Sequence, residues 1–158
     1  MICDDIHAFA AAIPVGRAIA GLDLGDKTIG VALSDLRQIV ASPIETIKRE
    51  KFTADAAKLL TLLDERNAGG IILGLPLNMD GSEGPRVQST RAFARNLERL
   101  TPLPIGFWDE RLSTVAATRA MLEADLSRKQ RAKRVDNVAA SFILQGVLNR
   151  LQHLSREG

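Results

Sequence analysis

Two rhythms of apolar and polar positions alternate along the chain. Residues 18–25 form an apolar run interrupted by Asp23, which predicts a buried strand. After a turn at Asp26-Lys27, Ile29, Val31 and Leu33 alternate with Gly30, Ala32 and Ser34, a second strand. The short connection predicts an antiparallel hairpin. A weaker third strand is expected over 39–47, with Pro43 marking an irregularity or an edge position. Thr53 then reads as a helix N-cap, followed by the stripe Ala56, Leu59, Leu60, Leu63. Asn67-Ala68-Gly69-Gly70 ends that helix, and residues 71–75 form an apolar strand of the kind buried on both faces. A glycine-bearing loop leads to a helix over about 84–100, a strand at 104–108, a helix capped by Ser113 or Thr114 and bearing Ala117, Ala120, Met121 and Ala124, and a last helix over 136–154. Three strands followed by β-α-β units predict an α/β protein with a mixed five-stranded sheet flanked by helices.

Composition narrows the class. With 158 residues, 46% hydrophobic and 25% charged, the chain suits one soluble globular domain and excludes disordered and fibrous classes. No apolar run approaches the roughly 18 residues of a membrane span. Residues 1–14 carry Asp4 and Asp5 where a secretory signal carries Lys or Arg, so no such signal is expected. Cys3 is the single cysteine and excludes an internal disulfide or a Cys-rich zinc site. These features point to the reducing cytoplasm and to no membrane partner. The expected organisation is an N-terminal arm at 1–16 and a single domain at 17–158. Within the arm, 6–12 is alanine-rich and apolar, and a docked helix and a frayed tail are both open readings.

Net charge is +2, so distribution is more telling than the total. Arg128, Lys129, Arg131, Lys133 and Arg134 crowd together without an acid among them. Such a run is either a solvated loop or a phosphate footprint.

Three acids stand where solvent-facing acids are not expected. Asp23 lies between Leu22 and Leu24 in the first strand, where an ionised carboxylate needs compensation; a turn aspartate near Gly25 is the plainer reading. Asp136 begins the stripe Asp136, Ala140, Ile143, Val147, Leu151 of the last helix, or is a helix-start aspartate favoured by the macrodipole. Glu110 shares a face with Gly106 and Trp108 by alternation, or is a surface acid paired with Arg111. If the three converge, their mutual repulsion calls for a divalent cation, and Mg²⁺ suits an all-oxygen site that also meets phosphates. His7 and His153 lie in terminal segments and suggest no Ser-His-Asp or Cys-His set.

Four ordered motifs carry a resemblance. Gly21-Leu-Asp23-Leu-Gly25-Asp-Lys27-Thr-Ile-Gly30-Val-Ala-Leu-Ser34-Asp35 is followed by Gly74-Leu-Pro76-Leu-Asn78-Met-Asp80-Gly81-Ser82-Glu83-Gly84. Asp109-Glu110-Arg111-Leu-Ser113-Thr114 and Val135-Asp136-Asn-Val-Ala139-Ala140, leading into Ile143-Leu144-Gln145, complete the set. Together they resemble the YqgF family of RNase H-like nucleases, whose members are named as Holliday-junction resolvases and as pre-16S ribosomal RNA nucleases. The predicted element order is also that of the RNase H-like fold. The resemblance implies a nuclease whose catalytic, metal-binding acids are Asp23, Glu110 and Asp136, using Mg²⁺ or Mn²⁺. Many RNase H-like enzymes carry an acid on the fourth strand; 71–75 has none, so Glu110 substitutes from the next strand and the number of ions stays open. Asp80, Asp109 and Asn137 are secondary candidates beside a structural reading.

The loop 78–84 precedes a helix and lacks the Gly-Lys-Ser/Thr ending of a Walker loop. Either its N–H groups and Asn78 meet substrate, or it is a turn with Ser82 as a helix cap. The basic run, adjoining Asp136, is expected over the rim of the acids, with Lys27 and Arg111 nearer the reacting phosphate. The expected activity is metal-dependent endonucleolytic cleavage of structured nucleic acid, either ribosomal RNA precursor or branched DNA, the latter usually calling for a homodimer. A non-catalytic nucleic-acid or ribosome-associated module that keeps the acids for its fold is the alternative. An actin-like ATPase is set aside because it needs two such domains around one nucleotide.

Overall fold

The computed structural model describes residues 1–112 and the helical backbone of 128–157, with side chains from 137 to 155 in that helix. Strands β1 (Ala18–Leu24), β2 (Thr28–Ser34), β3 (Ala41–Lys48), β4 (Ala68–Leu75) and β5 (Ile105–Asp109) form one sheet in the order β3-β2-β1-β4-β5. β1 pairs antiparallel with β2, and β2 with β3, while β1, β4 and β5 run parallel. The expected mixed five-stranded sheet is therefore present. Parallel neighbours need long crossovers, and the chain supplies α2 (Phe52–Glu65) and α3 (Pro85–Glu98) for them.

Alternation along β1 separates two cores. Ala20, Leu22 and Leu24 join Leu59, Leu63, Phe93, Ala94 and Leu97 under α2 and α3. Ile19 faces the opposite layer with Ile72, Trp108 and the helices α1 (Ile6–Ala12) and α4 (Arg128–Glu157). The arm resolves as a docked helix. Asp5 caps α1 through Ala8 N–H at 2.8 Å, Phe9 is fully buried, and Cys3 N–H donates to Ile105 at 2.7 Å.

Several local expectations change. Thr53 lies inside α2 rather than capping it; Lys51 is the N-cap residue without a side-chain bond. The acceptor comes from buried Asp55, which takes Glu50 N–H at 3.0 Å and adds negative charge near the helix start. Gly69 and Gly70 do not end the helix. Asn67, at φ +58°, turns the chain, and both glycines belong to β4. A Cβ on Gly70 would stand 3.0 Å from the Phe9 ring, so this strand trades side chains for close approach of α1. Pro43 sits on the edge strand β3, opposite Ala32, where the register shifts.

The largest revision concerns α4, which begins at Arg128 rather than 136 and runs for 30 residues. The basic run is thus helical, not a loop. Arg, Lys, Gln and Ala are strong helix formers, and neither Gly nor Pro intervenes before Gly146. Asp136 consequently sits in the third turn, beyond the reach of the N-terminal macrodipole that a helix-start position would use. The expected helix with Ala117, Ala120, Met121 and Ala124 lies outside the described residues.

Candidate active site

The C-terminal ends of the three parallel strands collect at one edge of the sheet. Leu22 pairs with Leu73, Gly74 with Trp108 and Leu75 with Asp109, so Asp23 and Gly74 are neighbours one step further on. Asp23 shares a face with Gly21, which lies so close beneath α4 that a Cβ would be 2.7 Å from Leu144 Cβ. Its carboxylate therefore belongs to the α4 side, and the residue is 1% exposed.

Glu110 arrives from the other direction. The chain leaves β5 into a short 3-10 turn, Glu110–Leu112, and Glu110 remains 7% exposed. Its Oε2 lies 3.0 Å from where a Gly74 Cβ would stand, and Ile143 of α4 presses on the same spot. Gly74 thus leaves the space through which the Glu110 carboxylate reaches across β4 toward β1. Glu110 shares the α4-facing side with Trp108, which packs on Gly146, as alternation predicts.

The third acid enters by backbone placement. Ala140 carries a carbonyl 3.0 Å from the Gly21 Cβ position, while Leu151 lines a groove with Leu36 and Arg37 near the opposite end of β1. α4 therefore runs antiparallel to β1, and position 136, one turn before Ala140, lies toward the Asp23 end. The Asp136 side chain is outside the described residues. Among the described residues no three His, Cys, Asp or Glu side chains form a metal-binding group. The described pair is nonetheless suited to one. Two buried carboxylates offer hard oxygen donors, and the missing side chain of Gly74 leaves the Glu110 carboxylate its place beside Ile143.

The remaining candidates divide by partner. Lys27 is exposed in the β1–β2 turn, and its carbonyl accepts from Arg49 N–H at 2.8 Å. Asn78 donates through Nδ2 to Ser82 Oγ at 2.9 Å, and that hydroxyl donates to Asp80 at 2.6 Å. Ser82 therefore closes the 78–82 loop and does not cap α3, whose N-cap is Gly84. Its hydroxyl and N–H hold the Asp80 carboxyl below the usual range. Arg111 forks onto Asp109, with 2.7 Å between the guanidinium and Oδ2, and reaches the Met79 carbonyl at 3.3 Å. That fork lowers the Asp109 carboxyl and raises the guanidinium. Arg128, Lys129, Arg131, Lys133 and Arg134 occupy the first two turns of α4, and their side chains lie outside the described residues.

Several motif residues are framework. Ser34 Oγ accepts Ile19 N–H at 2.8 Å, and Asp35 accepts Ile39 and Val40 N–H groups, which lower its carboxyl. Gln145 clips α4 to the β2–β3 connection, accepting from Ala41 and donating to Ile39. Conversely, Arg49 and Arg86 escaped the sequence reading. Both reach the end of β1, but Arg49 follows an edge strand and Arg86 starts a helix, so nothing local marks either as part of this edge.

The comparisons agree with this architecture. The T. thermophilus RuvC solved in complex with a Holliday junction substrate superposes with a TM-score of 0.54 over 90% of this chain and 96% of its own, at 14% identity. The sheet and its helices define an RNase H-like fold. Residues 17–150 match the family model described as "RuvX: Holliday junction resolvase", and the chain belongs to that family of nucleases, hydrolases of phosphodiester bonds. A Rhodobacter capsulatus protein named "Putative pre-16S rRNA nuclease" is 69% identical over 99% of this chain and 98% of its own. A Paracoccus denitrificans protein of the same name is 66% identical over 99% of each. No helix among the described residues is long and apolar enough to cross a membrane.

Proposed function

We propose that this nuclease is a metal-dependent endonuclease that processes the precursor of 16S ribosomal RNA in the cytoplasm, with Asp23, Glu110 and Asp136 as its catalytic acids. The observation that carries the reading is the pair of buried carboxylates at the ends of β1 and β5, with Gly74, which has no side chain, on the strand between them. Carboxylates buried at such an edge are hard oxygen donors of the kind a divalent cation takes. The relatives that share about two thirds of this sequence support the RNA substrate through their names.

Asp23 and Glu110 are held on rigid strand ends, and Asp136 on α4 supplies the third carboxylate. Mg²⁺, or Mn²⁺ in its place, when bound supplies an activated water and charge stabilisation at the departing 3′ oxygen. Asp23 fixes the orientation of its carboxylate by being embedded in β1, while Glu110 reaches in from a turn that begins at the strand end. Lys27, exposed in the β1–β2 turn, and Asn78, in the loop that follows β4, contact the substrate backbone in this reading. Arg111, already matched by Asp109, steadies the 78–82 loop and meets phosphate with its remaining N–H groups. The basic start of α4, Arg128 to Arg134, holds the flanking backbone in a sequence-blind, salt-sensitive manner.

Branched DNA is the second substrate reading, favoured by the family description, and it calls for a homodimer that presents two such edges. One assay separates the possibilities: cleavage with Mg²⁺, Mn²⁺ or EDTA of an RNA spanning the precursor end and of a four-way DNA junction, using wild type, Asp23→Asn and Asp136→Asn. Metal-dependent cutting lost in both variants supports the nuclease site and ranks the substrates. Binding that survives in EDTA and in the variants, with no cutting by wild type, favours a non-catalytic module.

A further inference from the structure

At the end of β1, on the face opposite Asp23, a cavity of about 170 Å³ is lined by Leu24, Gly25, Asp26, Arg49, Pro85, Arg86, Ser89 and Thr90. Arg49 donates from a guanidinium N–H to the Gly25 carbonyl at 2.8 Å, and Arg86 to the Leu24 carbonyl at 3.3 Å. These backbone bonds anchor both side chains while leaving most of the five N–H donors of each for something else. Neither is ion-paired among the described residues, in contrast to Arg91, which pairs with Glu83 at 2.8 Å, and Arg111, which pairs with Asp109. Asp26 is the one acid on the cavity's rim, and it is exposed.

A second observation points the same way. α3 starts beside the cavity with Pro85 at its first position, no side chain capping it and no acid in its first turn. Its first-turn N–H groups and positive dipole end are thus engaged neither by a side-chain cap nor by an acid of that turn. Ser89, one turn on and exposed, adds a hydroxyl to the lining.

From this geometry we infer that the Arg49–Arg86 cavity is a second phosphate site, gripping a backbone phosphate of the bound nucleic acid a few nucleotides from the cleavage point. The inference rests on the nuclease reading. Leu24 follows Asp23 directly, and successive residues of a strand face opposite ways. A strand bent around the end of β1 therefore places one phosphate over the acids and another against the two guanidiniums. Planar, bidentate donors suit phosphate better than a flexible ammonium does. The site acts on the backbone, so it sets register and bend without reading bases.

The test is a phosphate-neutralisation scan. The precursor-spanning RNA and the four-way DNA junction are made with one methylphosphonate linkage at a time, and binding is measured in EDTA to wild type and to Arg49→Gln/Arg86→Gln. In wild type, neutralising the gripped phosphate weakens binding by about tenfold, the size of a lost charged contact. In the double variant overall binding is weaker by a similar factor, that linkage no longer matters, and the other sensitive linkages stay sensitive. The slope of log K against log salt drops by roughly 0.7 to 0.9, the value for one phosphate. Thermal unfolding checks the fold, and Arg86→Gln alone, on an exposed side chain with the longer anchoring bond, repeats the scan if the double variant does not fold. A wild type that cuts, with the same scan profile in the variant, overturns the second site and leaves the nuclease standing. A wild type that neither binds nor cuts either substrate overturns both.

Discussion

On the face of the sheet under α2 and α3, β1 presents Ala20, Leu22 and Leu24, and the core is built from leucine, isoleucine and phenylalanine. On the face under α1 and α4, the same strand presents Ile19, Gly21 and Asp23. Here glycines replace large side chains: Gly21 and Gly74 meet α4, Gly70 and Gly106 meet Phe9, and Gly146 of α4 meets Trp108. The first face is held by hydrocarbon volume, the second by close approach of backbone to helix. At the end of the second face Asp23 and Glu110 are buried, whereas the polar groups at the end of the first, Arg49 and Arg86, stand at a more open rim. The site therefore depends on what is missing from β1 and β4 as much as on the acids themselves.

The comparison makes claims that can be broken. Asp23→Asn and Glu110→Gln should abolish cleavage while the protein remains folded, since each removes a buried charge and keeps the shape; loss of the cooperative unfolding transition in either would make the acid a fold determinant instead. Next in size, Leu22→Ala should lower unfolding free energy by about 2–5 kcal/mol, with the activity of the folded fraction unchanged. Denaturant titration beside single-turnover cleavage separates the two readouts. Gly74→Ala should destabilise by about 1–3 kcal/mol through overpacking against Ile143, and should also depress cleavage beyond the loss of folded protein because its Cβ crowds Glu110. If cleavage merely tracked stability, the cradle argument would fail.

The smallest effect lies at the rim. Asp109, Asp80 and Asp35 all have carboxyls lowered in the folded state. A lowered folded pKa contributes stability that is full above the unfolded value near 3.8 and fades as pH falls through the folded value. Acid unfolding below about pH 4 should therefore begin at higher pH in Arg111→Gln, which lacks the fork, than in wild type. Coincident acid transitions would show that the fork does not hold the Asp109 carboxyl down.

How far the sequence reached depends on the range of the interaction. The strands of the first hairpin, the helix stripe Ala56–Leu59–Leu63 and the buried strand at 71–75 were legible because period and burial are written into consecutive residues. Gly69-Gly70 as a helix stop was misread for the opposite reason, and of the two readings of the 78–84 loop the one with Ser82 as a cap falls away. Each residue type has a common local use, and another partner took it instead: Asp80 two residues away for Ser82, and distant Phe9 for Gly70. The basic run looked like a loop by charge, yet its residues are strong helix formers that extend α4. Among the candidates for phosphate contact, charge alone could not distinguish Arg111, matched by Asp109, from Arg49 and Arg86, which are held by carbonyls.

The chain alone carried the order of the five strands and of the helices between them, the α/β class, the family motifs and the three acids proposed for the site. Local periodicity and short motifs suffice for those. Tertiary structure alone decided that Glu110 crosses over Gly74 toward Asp23, that α4 runs back along β1 with position 136 at the acid end, and that two arginines from separate elements share a cavity behind Asp23. These depend on strand order, parallel register and helix approach, which arise from contacts between residues tens of positions apart and leave no periodic trace in the chain.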